Sequence, residues 1–334
     1  MAATEGDGAA VRRGRLVNVS LRSIAERWTL VIAFVGAFVF FSIARPDTFP
    51  TWDNARAILD ESSVLCVLAV GVTAVLVIGE FDLSVGFVTQ LAAASAVSVM
   101  AFHTWPAWAA VLVALLAGAI AGLANGVAVA HVRIPSFIAT LALGSIAGAI
   151  ELAITKTTIF EGLDPGYLEI ATTTVFFDIP LRAIIAAGVA LAFMVLLRLT
   201  VYGRHAASIG DNVAAARLTG VPVERVKVIA FVLTGLTAGL AAVFVTSSAS
   251  QYYPNLGQGY LLPAYAAAFL GLSLSGGLRF NVLGSYLGVL LLGMVTTGLT
   301  MMNQPSWMAA LVQGLVLIVA VAGIAVRRRG TLGR

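Results

Sequence analysis

The chain reads as an all-α polytopic membrane protein with about ten transmembrane helices and both termini on the cytoplasmic side. Three observations lead there. Hydrophobic residues make up 60% of the 334 and charged residues 11%, with a mean hydropathy of +0.98; soluble domains carry about 25% charged residues. Ten apolar segments reach or approach the roughly 17–25 residues that cross a bilayer. The basic residues then sort to one side. With the N-terminus in the cytoplasm, all but Arg45, Arg56, Lys156 and Arg182 of the twenty Lys and Arg fall on the cytoplasmic side, the pattern that orients membrane helices.

The segments fall near 28–44, 62–78, 83–102, 106–130, 136–155, 180–201, 228–247, 259–275, 281–302 and 306–326. Residues 1–27 form a polar cytoplasmic tail, 28–326 one membrane domain, and 327–334 a short basic tail. The first segment follows five arginines and ends at Ser42-Ile43-Ala44, as a signal peptide can. Its length and the interfacial placing of Trp28 and Phe41 favour an uncleaved span. The eighth is short and glycine-rich, the weakest of the ten. Between the fifth and sixth, Lys156–Asp178 is an acidic external segment too short to fold alone.

Small residues recur at four-residue spacing: Gly118, Gly122 and Gly126; Gly144 and Gly148; Gly235 and Gly239; Gly284 and Gly288. Such ridges let helix backbones approach closely, so these helices are expected to pack on one another. Two glycine- and serine-containing interruptions, Ile78–Gly86 and Leu270–Gly277, hint at repeat halves flanking a central pathway.

The longest polar stretch between spans is 203–227, GRHAASIGDNVAAARLTGVPVERVK. Asp211 and Asn212 can cap a short helix that Ala214, Ala215 and Ala216 favour, and Gly220 can close it in the left-handed conformation. Arg217 is its basic residue, and Pro222 suits the first turn of the next helix. A capped helix held between two spans is suited to being gripped from outside the membrane. The second polar break is Gly79-Glu80-Phe81-Asp82-Leu83-Ser84-Val85-Gly86. Asp82 can cap the third span or form a turn, or it can take part in transport.

Some chemistry is absent from the sequence. Neither lysine, Lys156 or Lys227, follows a glycine-rich phosphate loop, so the chain is not expected to bind nucleotide. His103, His131 and His205 lie at span ends or in loops, and Cys66 is the lone cysteine within an apolar run. No catalytic residue, cofactor site or metal site is expected.

Taken in order, the landmarks resemble a family. GEFDLSVG is similar to the Gly-Gly-Ile-Asp-Leu-Ser-Val-Gly signature of permease subunits in bacterial ATP-binding-cassette monosaccharide importers of the ribose, xylose and galactose type, with Glu80 and Phe81 in place of glycine and isoleucine. Asn125-Gly126 and Ile134-Pro135-Ser136-Phe137-Ile138-Ala139-Thr140-Leu141 match the family's next landmark. The 203–227 segment and the glycine-rich stretches Ala266–Gly277 and Gly284–Gly298 follow. The resemblance covers about residues 62–327.

It implies an inner-membrane permease with a type II importer-like bundle, which dimerises or pairs with a sister permease. Two cytoplasmic ATPase subunits would use ATP and magnesium, and an extracytoplasmic binding protein would deliver a monosaccharide or polyol. Asp211–Gly220 would correspond to the ATPase-coupling segment, and alternating access would follow from its movement. Permeases of similar architecture for branched-chain amino acids or nucleosides form one alternative. An ion-coupled secondary transporter using Glu151, Glu80 or Asp82 forms another.

Polar residues that could line a solute pathway are Gln90, Asn125, Thr140, Glu151, Asn303 and Gln313; amides and hydroxyls suit a neutral polyhydroxylated solute. Glu151 could snorkel outward, line the pathway or pair with Arg182. Gln251, Tyr252, Tyr253, Asn255 and Tyr260 form an expected external patch, suited either to a binding protein or to an interfacial aromatic belt.

Overall fold

The computed structural model describes residues 21–161, 163–272 and 279–332, with backbone alone for 21–29, 320, 321 and 323–332. Every apolar segment contains a helix. They are α1 (Leu21–Ala44), α2 (Trp52–Val77), α3 (Val85–His103), α4 (Ala107–Ala130), α5 (Ser136–Thr155), α7 (Leu181–Leu199), α10 (Val223–Ala249), α11 (Leu261–Gly271), α12 (Val282–Met301) and α13 (Ser306–Leu332), with three shorter helices between them, α6 (Pro165–Thr172), α8 (Val201–Asp211) and α9 (Val213–Leu218). Seven of these (α2, α3, α4, α5, α7, α10 and α12) are long and apolar enough to cross a membrane among the described residues.

Helices α2, α3 and α10 form the interior, and α4, α5 and α7 are mostly exposed. The outer helices present apolar surface, such as the Leu112, Leu116, Ile120 and Leu123 stripe of α4. In water that stripe would be a liability; in a bilayer it is the solvent-facing side.

The glycine ridges act as the spacing predicts. A Cβ on Gly122 would collide with the backbone carbonyl of Phe231, one on Gly126 would lie 2.9 Å from Val228 Cα, and Gly118 faces Gly235. So α4 and α10 run backbone to backbone along three turns, a contact only small residues permit. Gly284 and Gly288 of α12 face Gly271 and Ala267 of α11 in the same way, while Gly144 and Gly148 of α5 make room for Phe87.

Two expectations are corrected. Over its described residues, 259–272, the eighth segment holds a short helix in place of a full span. Residues 250–260 are non-helical apart from a 3-10 turn at Gln258–Tyr260, and α11 has 11 residues, about 16 Å of helix against a hydrocarbon core of about 30 Å. The Leu270–Gly277 interruption lies mostly outside the described residues. The polar island holds two helices where one was expected. Asp211 is the last residue of α8, and Asn212, in extended conformation, separates it from α9. The break falls there because the Asn212 side chain accepts from Ala215 N at 3.1 Å, capping α9.

The Lys156–Asp178 segment docks on the bundle through α6. Tyr167 is fully buried, and its hydroxyl shares a 2.7 Å hydrogen bond with Thr246 of α10.

Candidate functional site

The polar groups gather at two places. The break between α2 and α3 begins at one end of the bundle, beside the segment α8–α9, and runs inward past Ser136 and Thr140 to Ser84. Thr200 ends α7 and caps α8 by accepting from Gly203 N, and α8 buries Ala206 and Ile209 beneath it. Gly210 packs on the Val77 carbonyl, and Gly79, at φ +79°, faces Gly210 across this contact. After α9 the chain turns at Gly220, φ +81°, where a side chain would be strained, and Pro222 immediately precedes α10.

Helix α9 has one face in and one out. Ala216 is buried, whereas Leu218 is 90% exposed. Ion pairs brace the helix and its surroundings. Arg217 meets Glu224 at 2.7 Å, Arg279 meets Asp211 at 2.5 Å, and Lys227 in the first turns of α10 bonds Glu80 of the break. Glu80 lines two clefts at this end, of about 940 Å³ and about 300 Å³. Composition gave no sign of Leu218; what marks it is a large apolar side chain left exposed on the outer face of a short, alanine-rich helix.

The break itself is held one backbone group at a time. Phe81 N donates to Ser136 Oγ (3.1 Å), Asp82 N to the Tyr265 hydroxyl (2.8 Å) and Leu83 N to Thr140 Oγ1 (3.0 Å). Ser84 N and Oγ both donate to Asp82 Oδ1, and Asn125 Nδ2 donates to Ser84 Oγ at 2.7 Å. Asp82 therefore makes the turn rather than directly capping α3. Asn125 and Thr140, named above as pathway candidates, serve this turn. Ser136 and Tyr265 complete it and were not singled out from sequence, although Ser136 and Thr140 share a helical face at four-residue spacing.

The second place is a seam between α3, α5 and 250–260. Glu151 is fully buried; its Oε1 accepts from the Tyr252 hydroxyl and from Asn255 N at 3.2 Å. It neither snorkels nor meets Arg182, which forks onto Asp60 of α2 and donates to the Phe244 carbonyl at 3.1 Å. Tyr252 is likewise fully buried, so it is no part of an external patch, while Tyr253 is exposed. Gln90 is fully buried, and its amide lies against Gly148. Gly86 and Gly257 are in backbone contact, a Cβ on Gly86 falling 2.7 Å from the Gly257 carbonyl oxygen. Asn303 and Gln313 lie apart from both places: Asn303 is an exposed turn residue at φ +55°, and Gln313 is half-buried on α13.

The family model described as branched-chain amino acid transport system / permease component matches residues 54–321. The chain is 34% identical to a ribose import permease protein of Escherichia coli strain K12 over 311 residues, 90% of this chain and 95% of that protein. It is 32% identical to an autoinducer 2 import system permease protein of Yersinia pseudotuberculosis, covering 87% of this chain and 82% of the relative. An L-arabinose ABC transporter permease protein of Azospirillum brasilense is 31% identical, with 89% and 87% covered.

Proposed function

This chain belongs to the permease-component family of ATP-binding-cassette importers, as a multi-pass membrane protein, and on that premise we propose that it carries a monosaccharide or related polyol across the bacterial inner membrane. Relatives named for ribose and L-arabinose support this cargo. The termini and the α8–α9 segment face the cytoplasm, as the arginine distribution favours, and ten segments cross or enter the bilayer. Two permeases, identical or sister chains, hold two ATPase subunits, which use ATP and magnesium. This chain binds no nucleotide, and an extracytoplasmic binding protein delivers the solute.

One observation carries the coupling role: α9, capped by Asn212 and closed by Gly220, displays Leu218 at 90% exposure beyond the apolar belt. A rigid stub with an unburied leucine is what a cytoplasmic socket would take hold of. Motion of α9 reaches α10 through four residues, Thr219–Pro222, and reaches the break through Lys227 and Glu80. Alternating access follows when ATP-driven closure of the ATPases pulls α9 and tilts α10, with α4 locked to it by glycine contacts. The carboxylates of an ion-coupled alternative all have structural partners: Glu80 has Lys227, Asp82 has Ser84, and Glu151 has Tyr252 and Asn255.

The test is affinity purification from native membranes in mild detergent, with partners identified by mass spectrometry. Burying a leucine stabilises a contact by about 1.5–3 kcal/mol, so Leu218→Asp should lower ATPase recovery at least about tenfold with the permease still monodisperse. Arg217→Glu, which sets a second carboxylate beside that of Glu224, should weaken recovery less. Equal recovery of an ATPase with Leu218→Asp would remove α9 as the docking element, and no ATPase with the unaltered chain would count against the importer reading.

A further inference from the structure

Residues 250–260 descend into the bundle. Tyr252 pairs with Phe160 at one end through two backbone hydrogen bonds, 2.9 and 3.1 Å, and Phe160 stacks edge-on against Phe102 near the end of α3. Five residues later Gly257 touches Gly86, at the other end of the same helix. That level is deep. Ser84 packs beside Gly144, eight residues from the start of α5 at Ser136 and eleven from its end at Thr155, or about 12 Å and about 16 Å. Gly257 therefore sits near mid-depth, and α11 starts there with the positive end of its dipole inward.

At that depth the segment is open on one side. Asn255, Gln258 and Gly259 are exposed, and a Cβ on Gly259 would have nothing within 4 Å. Gln258 Nε2 donates to Asn255 Oδ1 at 2.9 Å, a bond that uses neither the Asn255 amide nitrogen nor the Gln258 carbonyl oxygen, a donor and an acceptor on two exposed residues. Non-helical backbone and free amides cannot face hydrocarbon; in membranes they occur only against protein or a water-filled cavity. Behind them the segment is anchored by Glu151, a buried carboxylate whose accepted bonds fix Asn255 and Tyr252, and Asn255 itself is at φ +64°. A strained, individually anchored residue inside a membrane domain is a costly arrangement to retain for packing alone.

We propose that 253–260 line the translocation pathway and that the Asn255–Gln258 amide pair contacts hydroxyl groups of the passing polyol, with Glu151 as the positioning residue that holds the segment in place. This rests on the polyol-importer reading above. Paired side-chain amides offer a hydroxylated solute a donor and an acceptor side by side, with no net charge to trap it.

The experiment uses the whole importer, permease with its ATPases and binding protein, in membrane vesicles. Cys66 is buried, so an introduced cysteine reports alone. Gln258→Cys and Leu116→Cys, the latter on the exposed apolar stripe of α4, are treated with a cationic methanethiosulfonate, and ATP-dependent uptake of D-ribose, D-xylose and L-arabinose is recorded. The pathway assignment expects Gln258→Cys to react at least about tenfold faster than Leu116→Cys. Modification should then cut uptake about tenfold or more with the ATPases still bound, and Glu151→Gln should lower the reaction rate at position 258. Equal reactivity at the two positions would overturn the proposal, as would fast modification that leaves uptake unchanged. A disulfide between two Gln258→Cys chains that forms without altering uptake would make the segment a subunit contact and also overturn it. Fast reaction at 258 in an assembly that takes up none of the three pentoses would count against the polyol reading, and the solute assignment would fall with it.

Discussion

Glu80 and Lys227 join the break after α2 to the first turns of α10, and separating them is the most direct challenge to the idea that the two move together. Both side chains are less than a fifth exposed, at 17% and 15%. An exposed pair contributes about 0–1 kcal/mol, whereas removing one member of a fully buried pair costs about 3–5 kcal/mol. The observed burial lies between these limits, so Lys227→Met should destabilise the chain by about 2 kcal/mol, roughly thirtyfold in its unfolding equilibrium. Glu80→Gln should cost less, since an amide retains hydrogen bonding. A double-mutant cycle of these two changes, followed by denaturation in mixed micelles, should return a coupling energy of about 1–2 kcal/mol. In uptake assays each charge reversal, Lys227→Glu or Glu80→Lys, should impair transport, and the exchanged pair should recover much of it. A coupling energy below about 0.5 kcal/mol, or an exchanged pair no better than the single reversals, would refute the strut.

Three further outcomes are expected. Gly122→Val should fail to give monodisperse protein in size-exclusion chromatography, because any Cβ there meets the Phe231 carbonyl and overpacking a close helix seam costs about 1–3 kcal/mol or more; normal yield and melting would mean that α4 and α10 can separate without penalty. Cys66 should resist maleimide until the chain is denatured, since it is 2% exposed. On that background an impermeant maleimide should label Leu218→Cys from the cytoplasmic face alone and Phe177→Cys, 84% exposed, from the opposite face alone; labelling of both from one face would overturn the proposed orientation.

Much of the fold was legible because a bilayer simplifies the physics. Apolar length alone located a helix in each of the ten segments, and glycine spacing marked α4 and α10 as close-packing helices without naming either as the other's partner, since small residues at one helical face have few other uses at such density. The eighth segment was harder. Gly259 and Pro263 dilute its apolar run, but hydropathy cannot tell a diluted span from a chain that enters as a loop and leaves as the short helix α11. That distinction depends on Gly86, about 170 positions earlier, making room for the Gly257 backbone.

The site shows the same boundary between local and distant information. Asn212 as a cap and Gly220 at positive φ were readable because a cap and a left-handed turn involve only neighbours in sequence. The partners of the break were not, because its amide groups are satisfied by Ser136, Thr140 and Tyr265 from two other helices. Once those bonds are known, the roles of several polar residues change together. Thr140 and Asn125 are committed to holding a turn, Glu151 to holding a descending segment, and the amides left on exposed residues of that segment are those of Asn255, which the sequence reading had placed in an external patch, and Gln258, which it had not singled out. A polar residue in a membrane sequence announces only that something must satisfy it. Which polar groups remain available to a solute is decided by subtraction, after the backbone's own demands are met.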